Sequence, residues 1–283
     1  MPRLLVTNHS TTGDGGIYLL DTGSGALRRL YDQPTHGITR GPDGFYFVEH
    51  HGDVSRLEPG TWKVEKRAET RFDGCHDLRR VADGYFLVAS RGNRVVRLND
   101  DLTVRDVMQI VPSEADVCHP NCLIEANGEL LLCVFTLTPG PRNKKNRSEA
   151  WQRAGKILRL DWERKTFDVK YEPLSQPHSL LWHEGRLYWC ESFSSEVSVL
   201  PPGGFVKQTL CRLHGFVRGL QFHGGSAFVG ISENKIKPPL FSRLFSRYRV
   251  PCGVVELDAA TWKPRRSFQI PGKQVYELLL LDD

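Results

Sequence analysis

One arrangement of apolar and polar residues recurs along the chain. A polar residue opens a short apolar strand, a Gly-containing turn follows, and three more short strands follow with polar turns between them. In the first copy His36-Gly37-Ile38-Thr39 leads to Asp43-Gly44 and then Phe45-Tyr46-Phe47-Val48, and Val54-Ser55-Arg56-Leu57 forms the third strand. The second copy repeats this from His76-Asp77-Leu78 through Asp83-Gly84 and Tyr85-Phe86-Leu87-Val88 to Val95-Val96-Arg97-Leu98. Period-2 runs bounded by Asp-Gly or Asn-Gly predict hairpins, and a repeat of about 40 residues with four strands predicts the blade of a β-propeller.

Five complete copies predict blades over 36–69, 76–110, 119–172, 178–211 and 218–270. The starts of the first three are 40 and 43 residues apart, and those of the fourth and fifth are 40 apart. A sixth copy is split: 277–283 supplies its inner strand and 3–31 the other three. Sharing one blade between the chain ends closes the ring and leaves no exposed inner edge. The fold class is therefore all-β, a six-bladed propeller read as a single domain over 1–283.

The repeat also aligns chemistry. Its opening residues are His36, His76, His119, His178, Arg218 and Glu277, so four of the ten His share one repeat position. Inner strands start on one face of a propeller, which predicts that these side chains gather at the channel mouth. Imidazole suits Fe, Zn and Cu, so the expectation is a divalent transition metal held by His36, His76, His119 and His178 or a subset. Arg218 offers a planar fork to a carboxylate or phosphate. Glu277 is expected as a general base or a fifth ligand, and Asn121, Glu49 and Glu191, on the same face, as substrate contacts. The bland alternative is a polar, water-filled channel.

Two insertions carry the positive charge. Residues 139–155 and 231–251 each hold five basic residues and one acid, a net of +4 apiece, against +5 for the whole chain. Both interrupt the turn between second and third strands, which predicts basic lids over the channel mouth that draw in small anions. Nucleic acid ranks below a lid or a docking loop. Seven scattered Cys without a CxxC pair argue against a disulfide framework and for a reducing cytoplasm. No apolar run reaches the roughly 18 residues of a membrane span.

The segments Pro177-His178-Ser179-Leu180 to Trp189, Phe216-Val217-Arg218-Gly219-Leu220, Phe228-Val229-Gly230-Ile231-Ser232, Cys252-Gly253-Val254-Val255-Glu256-Leu257 and Glu277 resemble an uncharacterised bacterial propeller family, known only as conserved hypothetical proteins. The resemblance covers the last hundred or so residues, implies the six-bladed fold and carries no activity. In architecture the chain is also similar to gluconolactonase-like and strictosidine-synthase-like propellers. Gluconolactonase-like members hold their ion with carboxylates and Asn where this chain has His, which argues against a lactonase. A four-histidine iron site resembles that of carotenoid-cleaving oxygenases, whose seven larger blades limit the likeness to the site. Two functions follow as expectations: a metal-dependent enzyme acting on a small anionic substrate, or a non-catalytic propeller that docks a ligand or protein through its basic loops.

Overall fold

The computed structural model describes residues 1–10, 13–138, 152–233 and 252–281. Twenty-four strands lie in these residues. The chain runs through β1 (Arg3–Asn8), β2 (Gly16–Asp21) and β3 (Leu27–Tyr31), then β4 (Thr35–Gly41), β5 (Gly44–Glu49), β6 (Asp53–Leu57) and β7 (Val64–Glu69). Next come β8 (Cys75–Val81), β9 (Gly84–Ala89), β10 (Arg94–Leu98) and β11 (Val104–Gln109), then β12 (Leu123–Ala126), β13 (Glu129–Val134), β14 (Gly155–Asp161) and β15 (Thr166–Leu174). The last two groups are β16 (Pro177–His183), β17 (Arg186–Glu191), β18 (Glu196–Leu200) and β19 (Gln208–Arg212), then β20 (Phe216–His223), β21 (Ser226–Ser232), β22 (Gly253–Asp258) and β23 (Pro264–Gln269). The final strand is β24 (Val275–Leu280).

Each group forms one four-stranded sheet, and β24 joins the first in the order β24-β1-β2-β3. This is the six-bladed β-propeller expected from the repeats, with the split blade closed by Leu4 opposite Leu280 and Val6 opposite Leu278. The two-residue turns Asn127-Gly128 and Glu184-Gly185 both have positive φ at each position, the backbone that a tight hairpin demands. Among the described residues no helix is long and apolar enough to cross a membrane.

The fourth strand of each blade is its most exposed. Every residue of β9 is buried, so Tyr85-Phe86-Leu87-Val88 reads as a continuous apolar run with both faces covered. The fourth strands β7, with Val64-Glu65-Lys66-Arg67-Ala68-Glu69, and β23 are largely solvated and charged, which guards their unpaired edges against further pairing.

Packing divides the chain into two compact units, Met1–Pro34 with His183–Asp283, and Thr35–Trp182. In the first, Leu4, Val6, Tyr18, Leu20, Phe228, Val254, Val275 and Leu278 form one core. In the second, Tyr46, Val48, Leu78, Tyr85, Leu87 and Val96 form one cluster and Phe86, Val88, Leu123, Leu132 and Leu158 another.

Candidate functional site

The inner strands open with a β-bulge, which adds one residue to the strand and re-aims a side chain. In β8, Cys75 pairs with Ala89 and Asp77 with Val88, so His76 is the extra residue. The same shift falls at His36 and Gly37 in β4, at Arg218 and Gly219 in β20, and at Tyr276 and Glu277 in β24. Ahead of β12, the N–H of Asn121 bonds to Cys133 and the N–H of Cys133 to Cys122, which makes Asn121 and Cys122 the equivalent pair. Counting back two residues from the buried Leu180 gives His178 and Ser179.

This register corrects two of the six expected heads. Asn121, not His119, occupies the position of His76, and Tyr276, not Glu277, occupies it in the closing blade. The heads are thus His36, His76, Asn121, His178, Arg218 and Tyr276.

The residue after each head has a different task. In four blades it lies against the backbone of the next inner strand. Asp77 Oδ2 accepts from Leu123 N at 3.0 Å, and Cys122 Sγ accepts from Leu180 N at 3.4 Å. Where Gly stands there, the strands touch: a Cβ on Gly37 would sit 2.5 Å from Leu78 N, and one on Gly219 would sit 3.1 Å from Leu278 N. Glu277 belongs to this second set. Its Oε1 accepts from Leu278 N at 3.1 Å, as Asp77 Oδ1 accepts from Leu78 N at 2.9 Å. Burial raises the Asp77 carboxyl above its ordinary range, and Arg79, 3.1 Å away, opposes that shift.

Within the unit Thr35–Trp182 the imidazoles form a row. Ring centres lie 5.3 Å apart for His50 and His36, 5.6 Å for His36 and His76, and 4.7 Å for His76 and His119. Two imidazoles sharing a tetrahedral ion at bond lengths of about 2.0–2.1 Å would have centres about 5 Å apart, so these spacings suit shared ligation. The row then changes character. Phe135 stands between His119 and His178, with ring centres 4.5 and 5.2 Å away, so His178 does not adjoin the other three. Among the described residues no three His, Cys, Asp or Glu side chains are already grouped as a metal-ion ligand set.

Second partners orient the row. His119 Nδ1 lies 2.6 Å from Asp116 Oδ2, and His178 Nδ1 lies 2.9 Å from the carbonyl of Gln176. A ring held through Nδ1–H by an acceptor presents its Nε2 lone pair. His119 adopts φ of +49°, a conformation that non-Gly residues rarely take, and this carries its ring from the loop back into the row. Asn121 is buried; its Nδ2 donates to the His119 carbonyl at 2.9 Å, while its Oδ1 accepts no hydrogen bond.

His50, Asp116 and Phe135 are not among the residues that the sequence pattern singles out. An Asp-x-x-His spacing at 116–119 was the one available signal for the dyad. His50 faces Asp73 at 3.9 Å, and Asp73 also holds Arg91 and lies 3.4 Å from His51. Burial lowers the His50 pKa and Asp73 only partly opposes it. An unfolded His binds its proton at the higher pH, so this group's contribution to stability is present above about pH 6.5 and is lost as the pH falls toward the folded value. A His50→Gln chain is expected to lose less stability than wild type between pH 7 and 5.5, which urea unfolding at the two pH values checks.

The remaining candidates are placed as follows. Glu49 pairs opposite Thr35 at the end of β5. Glu191 is buried inside its own blade, where its Oε1 takes Trp189 Nε1 at 3.3 Å, Ser198 Oγ at 2.9 Å and the Lys207 ammonium. That carboxylate is spent on scaffolding. Lys207→Met would leave it buried and uncompensated, and a loss of about 3 kcal/mol is expected in chemical denaturation, largely recovered by adding Glu191→Gln. Arg218 lies with its guanidinium carbon 4.7 Å from the centre of the Tyr276 ring. Burial pushes the Cys75 thiol up and holds Cys211 and Cys252 up at about 11, which fits packing residues and not thiolate ligands. The basic insertions lie almost wholly outside the described residues.

A cavity of about 500 Å³ opens at the other end of the inner strands, between Thr39, Arg79, Arg80, Glu125 and Asn127. Its arginines are already compensated, Arg79 by Asp77 and Arg80 by Asp100. The unusual chemistry is at the strand heads, three to four residues away along β8, and the site is placed there.

Comparison with known proteins agrees with the fold. A chain in the crystal structure of a nidogen/laminin complex superposes with a TM-score of 0.70 at 13% identity, over 99% of this chain and 98% of that one. No curated protein matches. A family model described as a domain of unknown function, DUF4915, matches residues 74–283.

Proposed function

The chain belongs to the DUF4915 family, and we propose, from its own residues, that the histidine row seats a divalent transition metal and that the protein is a metal-dependent enzyme acting on a small anionic substrate. One observation carries the reading. Asn121 Oδ1 is a buried acceptor with no donor among the described residues, at a strand head in the same blade as His119. A buried oxygen left so costs roughly 1–3 kcal/mol, a cost that a cation relieves. The Nδ2 of the same amide bonds to the His119 carbonyl, the His119 ring lies 4.7 Å from that of His76, and Asp116 fixes the His119 tautomer that leaves Nε2 to bind. His36 adjoins His76, and His178 lies beyond Phe135.

When bound, the ion supplies Lewis acidity to an oxygen of the substrate. Asp116 keeps His119 oriented, and Phe135 excludes water from one side of it. Glu277 has no part in this reading, since it follows the strand head Tyr276 and accepts from Leu278 N. That the substrate is an anion rests on the +4 charge of each insertion. A cytoplasmic setting rests on the unpaired pattern of Cys.

Elemental analysis of protein purified without a His tag tests it. About one equivalent of Fe, Zn or Cu per chain is expected, with His76→Ala or His119→Ala reducing it to trace and Asp116→Asn weakening affinity about 10–100-fold. Less than half an equivalent after reconstitution overturns it. A second reading, a non-catalytic docking propeller, is favoured by the lack of a preset three-ligand group among the described residues. It predicts that the same His variants keep all binding.

A further inference from the structure

We propose that Arg218 and Tyr276 form a seat for a small oxyanion, a carboxylate or a phosphate group. The seat belongs to the unit of Met1–Pro34 and His183–Asp283, goes beyond the metal reading and needs nothing from the histidine row.

Both residues are strand heads, in β20 and β24. The two strands lie together there, because Gly219, with φ of +68°, lets the backbone of Leu278 approach. The bulges therefore put a guanidinium and a phenol ring side by side. The cation stands over the ring at 4.7 Å from its centre, and His9 meets the same ring edge-on at 6.4 Å. A planar cation held on an aromatic face keeps one orientation and leaves its in-plane N–H edge for a partner.

That partner is lacking within the described residues. Arg56, Arg79, Arg80, Arg91, Arg94 and Arg97 each pair with a carboxylate. Arg218 pairs with none, and its Nε is buried without an acceptor. A half-buried cation with an unmet donor calls for a counter-charge. The Nε and Nη donors of one guanidinium match two oxygens on a single carbon or phosphorus, which defines the ligand class as an oxyanion.

The test is calorimetric titration of the full chain with inorganic phosphate and, separately, oxalate, in the presence of a chelator. Saturable binding of one anion per chain is expected for at least one probe, and which probe binds names the class. Arg218→Gln should abolish it, and Arg218→Lys, which keeps the charge but not the fork, should weaken it about tenfold or more. Tyr276→Leu, which removes the ring under the guanidinium, should bind about two- to fivefold more weakly. No saturable binding of either probe, or equal affinity in a folded Arg218→Gln chain, overturns the proposal. Because the metal is chelated, failure of the metal reading leaves this result unaffected.

Discussion

A chain ending at Lys273 is expected not to fold. It lacks β24, the inner strand of the closing blade, whose Val275 and Leu278 are fully buried. Leu280 packs in the same core, against Leu4, Val6, Tyr18 and Leu20. Burying each such side chain stabilises by about 1.5–3 kcal/mol, so the three together reach the order of a whole domain's 5–15 kcal/mol. Backbone bonds go as well. β1 loses one of its two strand partners, Ser232 Oγ loses the Val275 carbonyl and Gln221 Nε2 loses that of Leu278. The apolar strand Leu4-Leu5-Val6 is then an open edge, the usual seed of aggregation. Circular dichroism and size-exclusion chromatography should report unfolded or aggregated protein. A cooperatively folding truncation would show that closure of the blade is dispensable.

The second large effect belongs to Asp77→Ala. This carboxylate is buried and receives the N–H groups of Leu78 and Leu123 and the Nε of Arg79. Truncation orphans two buried backbone donors and removes the counter-charge of Arg79. Stability should fall by roughly 3–5 kcal/mol. Asp77→Asn keeps one acceptor oxygen and should lose about half of that. Gly37→Ala probes the same seam from the neighbouring blade: its Cβ would lie 2.5 Å from Asp77 Cα, a backbone atom that cannot yield. Denaturation midpoints check all three. A neutral Asp77→Ala would mean that the residue after each head does not staple blade to blade.

These two results bear on how much was readable beforehand. The blades were legible because burial on both faces makes β9 and its counterparts continuous apolar runs, and Asn127-Gly128 punctuates them. The split blade was legible because Leu278 to Leu281 is an apolar run with no partner nearby in the chain. Register at the strand heads was not. A bulge adds one residue without any compositional sign, so Glu277 stood in for Tyr276. In the third copy His119 imitated a strand head by type, whereas its left-handed backbone places it in the loop and gives the position to Asn121. The ring of His119 nevertheless lies 4.7 Å from that of His76, because the loop folds it back. Phe135 was invisible as a divider, since only a ring at the end of β13 separates His178 from the others. Glu191 read as a substrate contact, because nothing near it in sequence announces Lys207 sixteen residues on.

The seating of an ion by the imidazole row is best measured by anomalous diffraction from crystals equilibrated with Co²⁺ or Zn²⁺. The account predicts one strong peak about 2.0–2.2 Å from ring nitrogens of His76 and His119, with Asn121 Oδ1 in its coordination shell. A map that is empty there, or one whose only peak lies at the rim beside His50, His51 and Asp73, contradicts it.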